Sequence, residues 1–253
     1  MSFKTVRTKV IFRICYLFVN MRVGLKVWLG ICILVVLLWM LYPNNEYVFP
    51  PTLVINLEDN TQRWKEVSSE FRDWTVPIER FPAIKRKPGS EGCALSHIQC
   101  LKLAKQRNYP WVLIVEDDCM LTPNALANFH TILPFVWKHR EHWDFYSGGA
   151  TFLKDYSLIN YDLKIYQVHG YATQYLLAHR GTYDKVIDLF SRQEKIPLID
   201  VFYATHFRIW TSLPYLSRQR PAFSDITEKE ENHNESFEKA ENILYTDLAN
   251  TSH

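Results

Sequence analysis

The sequence predicts an α/β domain preceded by an N-terminal membrane helix. Three observations lead there. Strand and helix patterns alternate along residues 52–226. One strand is an unbroken apolar run that ends in three acids. An apolar segment near the N-terminus follows a cluster of basic residues with no acid among them.

The elements follow in order. Thr52 to Leu57 is apolar and rich in β-branched residues, as in a buried strand. Asn60 to Phe71 has the polar composition of an exposed helix. Phe81-Pro-Ala-Ile84 is a candidate second strand. Pro88-Gly-Ser makes a turn, with Ser90 as N-cap and Glu91 favourable in the first helical turn. That helix runs to about Arg107, where Asn108-Tyr-Pro110 stops it. Trp111 to Val115 is a fully apolar strand of the kind buried on both faces of a parallel sheet. A helix over Pro123 to Phe135 and a strand over Trp143 to Gly148 follow. Lys164 to Val168 and Tyr175 to Ala178 are further strands, and Thr182 to Arg192 is a helix. Ile196 to Trp210 opens as a Pro-containing loop and continues as helix. From Thr227 the chain turns polar, with seven acids against Lys229 and Lys239, and reads as a mobile tail over 227–253. Residues 52–226 suffice for one domain with a core, not two.

The N-terminal region divides into a basic cytosolic segment (1–22), a transmembrane signal anchor (23–42) and a short stem (43–51). Lys4, Arg7, Lys9, Arg13, Arg22 and Lys26 precede or open the apolar run, and no acid occurs before Glu46. Such a charge bias keeps the N-terminus in the cytosol and puts the domain across the membrane, the type II arrangement, with the domain in an ER- or Golgi-type lumen or otherwise on the far side. The run is long enough to span, and Trp28, Trp39 and Tyr42 fall near its two interfaces. No small-residue cleavage site follows it, which argues against a removed signal peptide. The sequons at Asn234 and Asn250 are compatible with a lumenal glycoprotein. The basic cluster lies beside an apolar run, so it points to membrane orientation rather than to nucleic acid. Five cysteines without a Cys-x-x-Cys pair give no zinc-site spacing and no disulfide framework.

Glu116-Asp117-Asp118 is the chemical centre of the sequence. Three adjacent carboxylates repel one another unless solvent, cations or a metal offset their charge. They lie at the C-terminal end of a strand, where open α/β sheets bind ligands. Mg²⁺ and Mn²⁺ take carboxylate oxygens together with substrate phosphates, so a strand-end acid cluster suits a metal–diphosphate site. The competing reading is a solvated turn.

The motifs around this cluster resemble glycosyltransferase family 25. Leu53-Val-Ile-Asn-Leu57 with Arg63 looks like that family's opening strand. Gly92-Cys-Ala-Leu-Ser-His97 is similar to its Gly-Cys-x-x-Ser-His motif, and Trp111 to Asp118 to its apolar strand with Glu-Asp-Asp. Pro197-Leu-Ile-Asp200 and Gln219 with Ser224-Asp225-Ile226 resemble its later elements. The resemblance implies a GT-A (nucleotide-sugar-binding, Rossmann-like) fold and transfer of a hexose, galactose or glucose first, from a UDP-sugar with inversion. The acceptor would be a hydroxyl of a glycan or glycoprotein, and the cofactor Mn²⁺ or Mg²⁺. By position, Asp118 and Glu116 would hold the metal. Asn56, Leu57, Arg63, Ser96, His97, Glu116 and Asp117 would line the donor site. Asp200 or Asp225 would be the general base. His169 and His206 are structural or late metal ligands, and Gly148-Gly149 either approaches the donor or turns the chain. Two other classes compete with this reading. An inactive glycosyltransferase-like scaffold would have no need of all these acids. A nucleotidyltransferase calls for a glycine-rich basic loop after the first strand, and Glu58 to Arg63 contains no glycine.

Overall fold

A computed structural model describes residues 47–224 and 229–251, together with Cys32. The chain divides into two units, Met1–Glu46 and Tyr47–His253, and every element below belongs to the second. The expected anchor at 23–42, Cys32 apart, lies outside the described residues. Among the described residues no helix is long and apolar enough to cross a membrane.

The elements in chain order are β1 (Thr52–Asn56), α1 (Thr61–Glu70), β2 (Ile78–Pro82), α2 (Gly89–Gln106), β3 (Trp111–Glu116), β4 (Cys119–Leu121), α3 (Ala125–Lys138) and β5 (Phe145–Ser147). They continue with β6 (Thr151–Asn160), β7 (Ile165–Tyr171), β8 (Tyr175–His179), α4 (Arg180–Ser191), α5 (Ile199–His206) and β9 (Ile209–Ser212). The last are β10 (Ser217–Gln219), β11 (Ala222–Ser224), β12 (Lys229–Glu231) and α6 (Asn234–Thr251).

An eight-stranded sheet in the order β2-β1-β3-β8-β5-β9-β7-β6 forms the centre. It is mixed. β1 runs parallel to β2 and β3, whereas β8 is antiparallel to both β3 and β5. The apolar run Trp111–Val115 was expected in a parallel sheet. Burial on both faces produces the same apolar pattern in a mixed sheet, so composition could not tell the two apart. All five of its side chains are 0% exposed, and each fully buried Val, Leu or Ile contributes about 1.5–3 kcal/mol. Its alternation separates two cores. Val112 and Ile114 join the core that also holds buried residues of α2, α4, α5 and α6. Trp111, Leu113 and Val115 face α1 and α3. The result is a sheet between two helical layers.

Several boundaries moved. The second strand begins at Ile78 rather than Phe81, pairing Ile78 with Thr52. Helix α2 starts at Gly89 with Pro88 in the cap position and no side-chain cap, so Ser90 is not its N-cap. Residues 209–212 form strand β9, not the end of a helix, because α5 stops at His206 and Phe207 turns to extended backbone. Strand β6 was not anticipated. Only one of its neighbours is a strand, and its pairing with β7 is interrupted twice, so its sequence mixes polar and apolar residues without a clean period. The largest correction concerns the tail. Residues 234–251 form α6, and Phe237, Ala240, Leu244 and Leu248 enter the core. Their spacing of three to four residues is amphipathic, but frequent acids mask it in a count of composition. Glu241 is itself buried and accepts from the Tyr215 backbone at 2.9 Å and from Arg218 at 2.9 Å.

Candidate functional site

The carboxylates lie where β3 ends. Asp117 and Asp118 form a two-residue turn into β4, whose partner is β10, with Cys119 opposite Gln219. The Arg220 backbone N–H closes the turn by donating to the Asp118 carbonyl at 2.7 Å. Arg220 is held in turn by Glu66 and Glu70 of α1, at 3.0 and 3.2 Å.

Each acid has a different environment. Glu116 is bound through one oxygen. His97 Nε2 lies 3.0 Å from its Oε1, Thr173 Oγ1 donates to the same atom at 2.5 Å, and Cys93 Sγ points to it at 4.0 Å. Burial pushes the Glu116 carboxyl up. The hydrogen bonds from His97 and Thr173 and the Arg63 charge outweigh that and leave it below the usual range. Asp117 does more than shape the turn. Its Oδ2 accepts from Asn56 Nδ2 at 2.6 Å and its Oδ1 from Arg63 Nη1 at 2.9 Å. Burial still raises its pKa somewhat. In Asp118, Oδ1 is shut off from solvent and has no hydrogen-bond partner among the described residues. Burial, then the Glu116 and Asp117 charges, push the Asp118 carboxyl well above its normal range.

An ionised carboxylate oxygen without a donor is costly, so Asp118 is the acid that wants a cation. That fits the hard-cation chemistry of a carboxylate pair. The other two acids are already committed to protein donors, Glu116 through Oε1 and Asp117 through both oxygens.

The Gly-Cys-x-x-Ser-His segment on α2 has a mechanical explanation. Gly92 presses against the Ile84 backbone, where an added Cβ would lie 2.2 Å from the Ile84 carbonyl oxygen. Ser96 Oγ donates to the Gly92 carbonyl at 2.7 Å and accepts from the Ile84 N–H at 2.8 Å. It therefore fastens the helix to the chain after β2, rather than offering its hydroxyl to a ligand. Cys93 and His97 lie one turn apart on the same face and reach Glu116. Burial, then Glu116 and its neighbouring acids, hold the Cys93 thiol well above its usual range. Cys93 Sγ, a His97 ring nitrogen and a Glu116 oxygen all fall within 4.8 Å of one another.

Asn56 is spent inside the protein. Besides Asp117 it donates to the Asn60 carbonyl at 3.1 Å, and its Oδ1 accepts from Arg80 Nε at 2.8 Å. Leu57 offers its backbone carbonyl to Arg80 Nη2 at 2.9 Å. Arg80, Thr173 and Arg220 are site residues that the sequence did not reveal. Arg80 sits in a short polar strand, and Thr173 follows Ala172, whose φ of 116° is unusual for a residue with a side chain. Neither belongs to a recognisable motif. Only contact across the fold shows what they do.

Asp200 lies in the first turn of α5, half-buried, with Oδ1 accepting from the Val201 N–H at 2.8 Å. Burial raises its pKa, and the Glu116 charge adds to the rise, so it shares the electrostatic environment of the cluster. Asp225 and Ile226 lie outside the described residues, and Ser224 ends β11. His169 packs near Tyr171 at 6.5 Å and His206 near Phe202 at 5.2 Å. Neither belongs to the group of metal-ligating atoms found among the described residues. Gly148 and Gly149 are packing glycines. Added Cβ atoms would lie 2.6 Å from Ser217 Oγ and 2.5 Å from the Ser217 carbonyl oxygen, respectively.

Buried acids at the carboxyl end of a central strand, held by donors from β1, α1, α2 and the β7–β8 connection, make the candidate ligand site of an α/β domain. Residues 87–194, which contain the α2 motif and all three acids, match the model of glycosyltransferase family 25 (LPS biosynthesis protein). Over that central stretch the chain is similar to the glycosyltransferases of that family. A protein of Haemophilus influenzae named "Putative glycosyltransferase" is 33% identical over 94 residues, which covers 28% of this chain and 33% of that protein. The chain thus matches about a third of the relative's length. The strand-β1 motif, Asp200 and the Gln219 segment lie outside the family match.

Proposed function

We propose that this protein transfers a hexose, galactose or glucose, from a UDP-sugar to a hydroxyl of a glycan or glycoprotein, with inversion and with a divalent cation. The domain is read as a GT-A fold. The observation that carries this reading is the partnerless, buried Asp118 Oδ1 beside Glu116 at the end of β3. Asp118 and the free oxygen of Glu116 would hold Mn²⁺ or Mg²⁺, which when bound would neutralise charge developing on the leaving diphosphate.

The remaining roles belong to the protein's own groups. Asp117 holds Arg63 at the mouth of the site, where the guanidinium faces nucleotide phosphate or ribose. Glu116, fixed by His97 and Thr173, keeps one orientation as ligand arrives. Asp200 takes the proton from the acceptor hydroxyl, and its raised pKa suits a general base better than that of a fully solvated aspartate. Asp225 is the alternative base. The segment 23–42 is read as the anchor of a type II membrane protein with the domain in the lumen.

The test is release of UDP from a panel of UDP-sugars by the full chain in detergent, with Mn²⁺, Mg²⁺ or chelator. Metal-dependent release that Asp118→Asn abolishes is expected, together with a loss of turnover on the order of 10²–10⁴-fold in Asp200→Asn, the usual worth of a general base. Full metal-dependent activity in Asp118→Asn would overturn the site.

A further inference from the structure

We infer that Cys93, His97 and Glu116 form a second metal site, one for a thiophilic cation such as Zn²⁺, which overlaps the acid cluster through Glu116. The three ligand atoms come from two rigid elements, α2 and the end of β3, and all lie within 4.8 Å of one another. Cys93 and His97 are four residues apart on one helix, which stacks their side chains on one face. The imidazole and carboxylate atoms are 3.0 Å apart, and the sulfur is 4.0 Å from the same oxygen.

Tetrahedral Zn²⁺ binds nitrogen and oxygen at about 2.0–2.2 Å and sulfur at about 2.3 Å, which separates its ligands by roughly 3.3–3.8 Å. The observed spacings bracket that range, so closing the site takes a small parting of the His97 and Glu116 atoms and an approach of the Cys93 sulfur. Three protein ligands leave the fourth position to water. The Glu116 side chain, 15% exposed, provides the opening toward solvent.

The donor set decides which metal binds. Thiolate and imidazole select Zn²⁺ and Co²⁺, whereas Mg²⁺ and Mn²⁺ prefer oxygen. The surrounding acids, Asp117, Asp118 and Asp200, raise the local concentration of any divalent cation. Binding releases the Cys93 thiol proton and draws Glu116 Oε1 away from Thr173. Zinc on Oε1 places a second positive charge beside a catalytic cation on the other Glu116 oxygen, so it weakens that cation's binding and acts as an inhibitor. The inhibitory consequence rests on the proposed transferase activity; the binding itself does not.

The test is Co²⁺ titration of the full metal-free chain in detergent, followed by Zn²⁺ displacement. The expected result is a near-ultraviolet thiolate-to-cobalt band with tetrahedral visible bands, bleached by Zn²⁺ and not by Mg²⁺. Cys93→Ser should lose the thiolate band and weaken Zn²⁺ binding by more than about 10-fold, since losing even an outer partner of a metal ligand costs that much. Cys100→Ser, which removes a thiol buried elsewhere on α2, should keep both. Absence of a thiolate band in the unmutated protein overturns the inference without reference to any variant's folding. So does a band that survives in folded Cys93→Ser. UDP-sugar turnover measured alongside separates the two proposals: turnover without a cobalt band overturns only the zinc site, and a cobalt band without turnover only the transferase reading.

Discussion

Replacing Gly92 with alanine sets two effects of opposite sign against each other. In a helix interior alanine is more favourable than glycine by about 1 kcal/mol, so propensity alone makes Gly92→Ala stabilising. The tertiary structure opposes this. The new Cβ would lie 2.2 Å from the Ile84 carbonyl oxygen and 3.3 Å from the Arg86 nitrogen, both backbone atoms that cannot rotate aside. Helix α2 and the Ile84 segment must part by about 1 Å to restore van der Waals separation, and overpacking of this kind costs about 1–3 kcal/mol. Parting also strains the 2.8 Å bond from the Ile84 N–H to Ser96 Oγ, worth about 0.5–1.5 kcal/mol. The balance is a net loss of about 0.5–3.5 kcal/mol, by the same helix and hydrogen-bond values. Urea unfolding of the purified protein measures it, with an unchanged slope showing that the unfolded state is the same. Gly92→Ala as stable as the parent, or more so, would refute the close approach, and with it the account of how α2 is set to present Cys93 and His97 to Glu116.

Asp118→Asn should raise the melting temperature of the metal-free protein at neutral pH. The folded-state pKa of Asp118 is raised, so its favourable contribution is complete only below the unfolded value and is lost as pH rises; a parent more stable than the variant at neutral pH would contradict this. Asp144 behaves oppositely. It bonds the Arg208 backbone and side chain, and the Arg208 hydrogen bonds outweigh burial to hold its carboxyl below 3.8. Its contribution is therefore present above pH 3.8 and lost as pH falls through the depressed value. Asp144→Asn should cost about 1.5 kcal/mol at neutral pH, the lower end for a charged hydrogen bond because Arg208 is partly exposed, and the difference should shrink in acid; a gap independent of pH would sink the assignment. Asp117 and Arg63, at 2.9 Å and both largely buried, should show a coupling of at least about 0.5 kcal/mol in a double-mutant cycle, measured by denaturant unfolding. Phe237→Ala should cost about 3–5 kcal/mol as a core truncation, whereas a mobile tail would show no loss.

The class of fold was legible because burial leaves a local imprint. Trp111–Val115 had to be apolar throughout to be covered on both faces, and Asn108-Tyr-Pro110 had to interrupt the helix before it. The acids at the end of that strand, and the Gly-Cys-x-x-Ser-His spacing one helix earlier, were likewise visible as patterns, and they lie in the stretch that is similar to glycosyltransferase family 25. The direction of β8 beside β3 was not visible, since hydrogen-bond polarity between strands leaves no mark on hydrophobicity. Nor was the packing of α6, whose four core residues are spread through an acidic stretch. The division of labour among Glu116, Asp117 and Asp118 was decided only in three dimensions. Arg63, Asn56, His97 and Thr173 reach the first two from residues 19 to 61 positions away, and no described residue reaches Asp118 Oδ1. Sequence sets which groups can accept a cation; the long-range donors that satisfy two of these acids and leave the third unmet exist only once the chain has folded.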